Sequence, residues 1–313
     1  MHHTAEHPAE PPLADSRAPT LVLPPFAGSS SQENFSVLSP LVPSDLRPHF
    51  GAVYDYCRLI DDLADMQGVG EAARQRALGL LSLARQELHA AHAGKSVHPL
   101  FRRLGDTIRA KHLPLAPFED LIAAFEQDQR VTRYQHWDQL LDYCTRSANP
   151  VGRIVLMLDG HWPEKSPELF TLSDHICTAL QLTNFWQDVR RDLTERDRIY
   201  IPEADFGHGE SELRDWLMRP RDPEARVPYI LAMRTLVERT DLLFVAGAPL
   251  IRKLNRRLGP AVYLFYHGGR ETLKLIWRRG CTTLWDRPRL GKTEKAGLIL
   301  RALVLRSLGR WPA

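Results

Sequence analysis

Apolar residues recur at steps of three and four along most of the chain, and this spacing is typical of amphipathic helices. Proline and glycine residues separate the periodic segments, as expected where one helix ends and the next begins. Alternating apolar and polar residues, which would indicate strands, are nearly absent. The pattern therefore predicts an all-α protein. The periodic segments are residues 46–65, 72–91, 118–131, 137–146, 168–190, 224–246 and 259–279.

The first 31 residues differ from the rest of the chain. They are rich in Pro, Ala and Ser and have no apolar periodicity, which is typical of segments that stay disordered. Beyond them, no repeat of fixed period and no sharp change in composition marks another boundary. We therefore expect residues 1–31 to form a mobile Pro-rich arm and residues 32–313 to form one all-α domain.

The overall composition narrows the class of protein. Of the 313 residues, 43% are hydrophobic and 25% are charged, as in globular proteins. The four cysteines lie far apart without a C-x-x-C pair, which argues against a disulfide framework or a zinc ribbon and favours a reducing compartment. No apolar run reaches the roughly 18 residues of a spanning helix, and the N-terminus lacks the pattern of a secretory signal. We expect a cytoplasmic location.

Common enzyme motifs are missing from the sequence. It contains no G-x-G-x-x-G, no G-x-S-x-G and no H-E-x-x-H. These motifs mark dinucleotide-binding folds, α/β-hydrolases and zinc proteases. The sequence gives no support to these three classes.

Charge is distributed unevenly along the chain. The net charge is +3, but the residues from Arg252 to the end carry 15 Lys/Arg against 3 Asp/Glu, and the residues before them have a balance of −9. A basic C-terminal third can meet an anionic partner, either a nucleic acid or the inner face of a membrane. Ordinary solvated helix faces would have the same composition, so this alternative stays open.

A first polar stripe lies on the predicted helix over 46–65. Tyr54, Arg58, Asp61 and Asp65 fall on one helix face, although apolar residues flank them. Asp61 and Asp65, one turn apart, repel each other, and the repulsion grows when water is excluded. A cation is needed to offset it. Arg58 can supply that charge within an ordinary ion-pair network.

A second polar stripe lies on the predicted helix over 168–190 and just beyond it. Gln181, Asn184, Asp188 and Asp192 share one face beside apolar and aromatic neighbours. Mg²⁺ prefers such oxygen ligands, takes few of them from protein, and fills its octahedron with water and phosphate oxygens. Two facing stripes of this kind predict a site for Mg²⁺ and a diphosphate.

An arginine and a tyrosine follow the second stripe closely. Arg198 carries a guanidinium, which pairs well with phosphate oxygens, and Tyr200 has a hydroxyl that can donate a hydrogen bond. A surface arginine at the start of a loop is the alternative interpretation.

The two aspartate motifs, taken together, resemble those of the squalene/phytoene synthase family. They are Asp61-Asp62-Leu-Ala-Asp65 and Asn184-Phe-Trp-Gln-Asp188-Val-Arg-Arg-Asp192. Further stretches resemble the hydroxysqualene-forming branch that acts in bacterial hopanoid biosynthesis. They are residues 33–37, 125–128, 133–134, 143–153 and 182–188.

The resemblance implies an all-α isoprenoid (terpenoid) synthase fold, a single helical bundle around a central cavity. It implies Mg²⁺ ligands, a lining for the diphosphate and a helix break beside the hydrocarbon tail. The implied metal ligands are Asp61, Asp65, Asn184, Asp188 and Asp192. The implied diphosphate contacts are Tyr54, Arg58, Gln181, Arg198 and Tyr200. The residues implied at the break are Ser147, Ala148, Val151 and Gly152, and Asn149-Pro150 favours a break there. The aromatic candidates for the cavity wall are Phe35, Phe125, Tyr143, Phe185 and Trp186.

The resemblance also implies an activity. We expect Mg²⁺-dependent conversion of presqualene diphosphate to hydroxysqualene with release of pyrophosphate, in which Asp61, Asp65, Asp188, Asp192 and Arg58 are catalytic. Mg²⁺ and Arg58 would stabilise the departing charge, and an apolar cavity would shelter the carbocation.

Several alternatives remain at this point. The nearest is head-to-head condensation of two farnesyl or geranylgeranyl diphosphates to presqualene diphosphate, squalene or phytoene. Gln187 stands where dehydrosqualene synthases tend to have an arginine, which favours the single-substrate reaction. Arg198 follows Asp192 by six residues, one more than the family pattern. A non-catalytic scaffold protein would be expected to lose aspartates that this chain retains. We assign the basic C-terminal third to peripheral membrane association rather than to nucleic acid.

Overall fold

The computed structural model of the chain describes residues 22–24 and 41–308. Apart from residues 22–24, the expected arm over 1–31 lies outside this part, as does the 33–37 stretch with Phe35. Within the described residues the backbone forms thirteen helices, and one isolated bridge joins Arg133 to Ile199. The all-α prediction is confirmed, whereas the division at residue 31 stays a prediction.

The helices follow one another with short connections. Their bounds are α1 Arg47–Asp65, α2 Glu71–His92, α3 Pro99–Ala110, α4 Ala116–Asp128, α5 Trp137–Ser147, α6 Asn149–Leu158, α7 Pro167–Glu195, α8 Glu203–Phe206, α9 Glu210–Met218, α10 Pro223–Gly247, α11 Pro249–Lys253, α12 Gly259–Arg278 and α13 Lys292–Leu308. The seven predicted segments correspond to α1, α2, α4, α5, α7, α10 and α12. The other six helices were not predicted.

Proline positions explain where many of these helices begin. Proline lies at the first or second position of α1, α3, α4, α6, α7, α10, α11 and α12. The first turn leaves its backbone N–H groups unpaired, so a residue without an N–H and with a helical φ costs little there. The same prolines could not continue a preceding helix. They therefore divide the chain into separate helices that are joined by short connections.

Helix α7 is the centre of the bundle. It packs against α5, α6, α10, α11 and α12, while α1 packs against α2, α3 and α4. Gly247 of α10 allows a close approach, because a Cβ there would lie 2.5 Å from Ile176 and 3.0 Å from the carbonyl oxygen of Leu172. The C-terminal ends of α1 and α7 come together at one end of the bundle, where Arg196 contacts both.

Among the described residues, no helix combines the length and the apolar composition needed to span a membrane.

Candidate active site

The acidic ends of α1 and α7 are joined by one arginine. Asp65 is the last residue of α1, and Asp192 lies in the last turn of α7. Arg196, the residue after α7, places Nη2 2.5 Å from Asp65 Oδ2 and Nη1 3.1 Å from Asp192 Oδ1. The two polar stripes therefore approach each other at their C-terminal ends.

The electrostatics of this junction favour additional positive charge. Helix C-terminal ends carry partial negative charge, which disfavours carboxylates placed there. Burial raises the pKa of Asp61 to about 6, and the nearby Asp65 adds to the rise. Burial raises the pKa of Asp192 to about 7, and Arg196 offsets only part of this effect. Both carboxylates would be stabilised as anions by a further cation.

Arg58 pairs with carboxylates of its own helix. Its Nη1 lies 3.0 Å from Asp61 Oδ2, and its Nη2 lies 2.7 Å from Asp62 Oδ1. These are pairs of the i,i+3 and i,i+4 type, with side chains 30–40% exposed. Such exposed pairs contribute little to stability, so Arg58 can turn toward an incoming anion at low cost.

The remaining predicted residues of the two stripes lie further from the junction. Tyr54 on α1 and Gln181 on α7 are half-buried, whereas Asn184 is exposed. Asp188 lies between Asn184 and Asp192 on the same face of α7. The two stripes thus continue from the junction toward the middle of both helices.

Arg287 is a site residue that the sequence did not reveal. It holds Asp188 with both Nε and Nη2, and the Nη2–Oδ2 distance is 2.9 Å. Next to it, Gln187 is buried and donates from Nε2 to the carbonyl oxygen of Pro288 at 2.5 Å. The segment between α12 and α13 therefore lies over the second aspartate motif and supplies it with a cation.

A buried carboxylate lies next to the junction and interacts with Arg198, which also contacts Asp65. Asp128 at the end of α4 accepts hydrogen bonds from Tyr143 at 2.6 Å and from Tyr200 at 3.2 Å. Arg198 lies 3.8 Å from Asp128 and donates to Asp65 at 2.8 Å. Burial raises the pKa of Asp128 to about 6, and Arg198 opposes the rise. Arg198 and Tyr200 therefore lie at the site, where both contact carboxylates.

An aromatic wall adjoins these polar groups. The rings of Phe185 and Tyr200 stack with centroids 3.7 Å apart. A small cleft with a cavity volume of about 10 Å³ has both rings in its lining, together with Asp192 and Arg198. Apolar and aromatic surface next to a cluster of charges can stabilise a cation formed when an anionic group leaves.

The predicted helix break is present between α5 and α6. Helix α5 ends at Ser147, α6 begins at Asn149, and Ala148 between them has a non-helical φ of −128°. The Ser147 hydroxyl is buried and has no hydrogen-bond partner among the described residues. A Cβ on Gly152 would collide with Ser173 and lie 2.5 Å from Cys177 Sγ, so Gly152 allows α6 to pack closely on α7. The contact of Ser147, Ala148, Val151 and Gly152 with a hydrocarbon tail stays a prediction.

The donor set is compatible with Mg²⁺. The described residues contain no cluster of three His, Cys, Asp or Glu side chains that could hold a metal ion unaided. A Mg²⁺ ion that binds together with a diphosphate needs only one or two carboxylates, because phosphate oxygens and water complete its octahedron. Each stripe supplies two aspartates, and Mg²⁺ would share Asp65 and Asp192 with Arg196 and Asp188 with Arg287. The raised pKa values of Asp61 and Asp192 indicate that positive charge is favoured there.

The sequence matches a protein family and several known proteins over much of its length. The profile of the squalene/phytoene synthase family matches residues 29–294. A hydroxysqualene synthase of Zymomonas mobilis subsp. mobilis is 38% identical over 170 residues, and this match spans 54% of each protein. A hydroxysqualene synthase of Rhodopseudomonas palustris is 28% identical over 285 residues, which are 90% of this chain and 92% of the relative.

A solved structure extends the likeness to three dimensions. The squalene synthase HpnC from Alicyclobacillus acidocaldarius has 40% sequence identity and a TM-score of 0.68, covering 79% of this chain and 89% of that one. The expected terpenoid synthase fold is therefore confirmed. The residues that match the family profile include both aspartate motifs, all of α1 to α12 and the segment with Arg287. The chain belongs to the squalene/phytoene synthase family and is a prenyl diphosphate enzyme of that type.

Proposed function

We propose that this protein converts presqualene diphosphate to hydroxysqualene in a Mg²⁺-dependent reaction that releases pyrophosphate. The observation that carries the proposal is the junction of two acidic helix ends, bridged by Arg196, beside an aromatic cleft. The relatives that bear the name hydroxysqualene synthase support the choice of reaction.

The chemistry requires a leaving group to be stabilised and a carbocation to be sheltered. The carbon–oxygen bond to the diphosphate breaks, and its electron pair leaves with pyrophosphate. The cyclopropyl ring then opens, water adds to the carbocation and a proton is released. Mg²⁺, when bound, supplies positive charge to the departing diphosphate.

Residues of this chain would hold the substrate at both ends. Asp61, Asp65, Asn184, Asp188 and Asp192 would hold Mg²⁺. The diphosphate itself would be contacted by Tyr54, Arg58, Gln181, Arg198 and Tyr200. Of these, Arg58 is the side chain that can turn to an anion with least loss, because its present pairs are exposed. Phe185 and Tyr200, stacked beside Asp192, would exclude water from the charged end and stabilise the cation.

Gln187 supports the single-substrate reaction over condensation. Its amide is buried and donates to the Pro288 carbonyl, so it contributes no positive charge to the site. Condensation of two prenyl diphosphates brings two diphosphates to one cavity, and each needs cations. Where dehydrosqualene synthases tend to have an arginine, α7 of this chain thus contributes no cation, which suits a substrate with one diphosphate.

The test is a product assay with purified protein. Presqualene diphosphate with Mg²⁺ should give hydroxysqualene and pyrophosphate, and chelation with EDTA should abolish both. Asp61→Asn and Asp188→Asn should each lower turnover by at least about a hundredfold, since each removes a carboxylate that would hold the Mg²⁺ needed to stabilise the departing diphosphate. The matched control is Asp215→Asn, because Asp215 lies on the surface and pairs only with Arg219 among the contacts described.

The same assay distinguishes the alternatives. Conversion of farnesyl diphosphate alone to presqualene diphosphate or squalene would overturn the proposed reaction in favour of condensation. Turnover that is unaffected by EDTA and by both aspartate substitutions would overturn the role of the two stripes.

A further inference from the structure

Helix α13 has a second apolar face that points away from the protein. Its core-facing side chains, Leu298 and Ala302, are buried. On the opposite side, Leu300, Leu303 and Val304 are 62%, 42% and 46% exposed. Steps of three and four separate these positions, and Ala296 and Ser307 continue the same stripe in both directions. We call the surface formed by Ala296, Leu300, Leu303, Val304 and Ser307 the outer face of α13.

Basic residues flank the outer face on both sides. At 100° per residue, Lys292, Lys295 and Arg306 fall between the core-facing side and one edge of the outer face, and Arg301 falls beyond the other edge. The helix contains one acidic residue, Glu294, in its first turn. The Glu294 carboxylate accepts a hydrogen bond from the backbone N–H of Gly291, the residue before the helix. The outer face is therefore an apolar ridge with three cations along one margin and Arg301 on the other, where Glu294 lies within about 20° of Arg301 in the same projection.

This combination is characteristic of helices that lie in a membrane interface. Such helices bury an apolar stripe just below the headgroups, while lysine and arginine at its margins meet lipid phosphates. A nucleic acid would use the positive charge but would leave the leucine ridge in water. A plain solvated face would not carry three large apolar side chains in one stripe.

We propose that the outer face of α13 docks on an anionic phospholipid membrane, with Leu300, Leu303 and Val304 inserted among the lipids and the basic margins on their phosphates. The segment between α12 and α13 adds positive charge, because Arg279 and Arg289 are exposed there, as is Arg278 at the end of α12. The segment also contains Arg287, which holds Asp188, so the docking surface and the active site are adjacent along the chain. The proposal does not depend on which prenyl diphosphate is the substrate.

Vesicle flotation of the full-length protein tests this surface. The protein should float with vesicles containing phosphatidylglycerol and much less with pure phosphatidylcholine, and high salt should weaken the binding. Leu300→Asp with Leu303→Asp should lower the partition coefficient at least about tenfold, since two leucines lose their apolar burial. Lys292→Glu with Arg301→Glu should weaken binding to anionic vesicles selectively.

Matched controls keep the result specific to α13. Leu242→Asp changes an equally exposed leucine on α10, which is 68% exposed, and Arg252→Glu changes an exposed arginine outside α13. Both should float like the unmodified protein, and circular dichroism should show that all variants are folded. Equal flotation of the Leu300 and Leu303 variant and the unmodified protein would overturn the proposal. The proposal would also be overturned if sedimentation velocity showed a dimer that the Leu300 and Leu303 variant converts to a monomer. A second copy of the chain would then cover the outer face of α13.

Discussion

Arg196 forms an ion pair with Asp65 across the junction of α1 and α7, with Nη2 2.5 Å from Oδ2. Its other terminal nitrogen lies 3.1 Å from Asp192. The guanidinium thus occupies the place where two acidic helix ends most need a cation. Mg²⁺ binding to the same carboxylates would have to share them with this arginine, so Arg196 and the metal are expected to compete.

Arg196→Gln should make the protein depend on Mg²⁺ for stability. Without metal, Asp65 and Asp192 lose the cation between them, and unfolding should become easier by about 3 kcal/mol. Mg²⁺ can replace the lost charge, so the rise in Tm on adding Mg²⁺ should be larger than in the unmodified protein. Thermal unfolding with and without Mg²⁺ measures both effects.

Arg219→Gln is the matched control for this experiment. Arg219 also bridges two carboxylates, Asp215 and Asp222, but at the surface. Its loss should cost less than about 1 kcal/mol and should leave the response to Mg²⁺ unchanged. If both variants respond to Mg²⁺ like the unmodified protein, Arg196 does not compete with metal at the junction.

Asp128 should be needed for turnover although it lies behind the site. Asp128→Asn removes the negative charge facing Arg198, whose side chain is only 7% exposed, and disturbs the hydrogen bond from Tyr200. We expect a loss of stability of about 1–3 kcal/mol and a fall in kcat of at least about tenfold, because Arg198 and Tyr200 shift from the site. Urea unfolding and the product assay measure the two effects.

Tyr143→Phe separates the hydrogen bond to Asp128 from its charge. It removes the 2.6 Å bond but keeps the carboxylate, so it should lower stability by about 1.5–3 kcal/mol with a smaller effect on kcat. Asp142→Asn, on the exposed side of α5, should change neither quantity. Equal kcat values for Asp128→Asn and the unmodified protein would show that Asp128 has only a structural role.

Apolar spacing was enough to predict some helices and missed others, including α3, although α3 buries a single apolar face. Helix α1 buries one side and exposes the other, so its periodicity is plain. Helix α13 has apolar residues on its core-facing side and on its outer face. Because both sides are apolar, the three- and four-residue spacing of a single face cannot be recognised in its sequence. Helix α6 is apolar almost all round, so periodicity alone could not identify it either.

In the site, contacts within one helix could be predicted from the sequence, whereas contacts between distant segments could not. Asp61 with Asp65, and Asp188 with Asp192, lie one turn apart on single helices, and local spacing was enough to pair them. Arg287 lies 99 positions from Asp188 in the sequence, and no local pattern links them. The partners of Asp128 are likewise contributed by separate elements, so only the packing of the bundle brings them together.

Gly152→Ala should weaken the packing of α6 on α7. The new methyl group would meet Ser173 and Cys177 of α7 at less than contact distance, and the two helices would have to separate. Overpacking of this kind costs about 1–3 kcal/mol. Ser173→Ala in the same chain should recover part of the loss, which urea unfolding would measure.

Gly297→Ala provides the matched control. Gly297 lies within α13, and a Cβ there would meet nothing within 4 Å. Alanine forms helix more readily than glycine, so this change should raise stability by up to about 1 kcal/mol. A Gly152→Ala variant as stable as the unmodified protein would mean that α6 can move away from α7 without cost.

His267 of α12 should make the protein less stable in mild acid. Burial, together with the neighbouring Lys274, Arg270 and Arg301, lowers its pKa to about 4, while Glu271 opposes them. An unfolded chain has a histidine pKa of about 6.5. Between about pH 4 and 6.5 the unfolded state therefore binds more protons than the folded state, and the free energy of unfolding falls as the pH falls.

His267→Phe should remove this part of the acid sensitivity. Phenylalanine keeps the ring contacts with Tyr263 and Tyr266, whose centroids lie 4.1 Å and 4.9 Å from that of His267. It also removes Nε2, which is buried without a hydrogen-bond partner among the described residues. Urea unfolding at pH 7.5 and pH 5 should show a smaller loss of stability for this variant than for the unmodified protein. His92→Phe, at an exposed position on α2, should retain the full loss. Equal losses in all three proteins would mean that His267 gains its proton as readily in the folded chain as in the unfolded one.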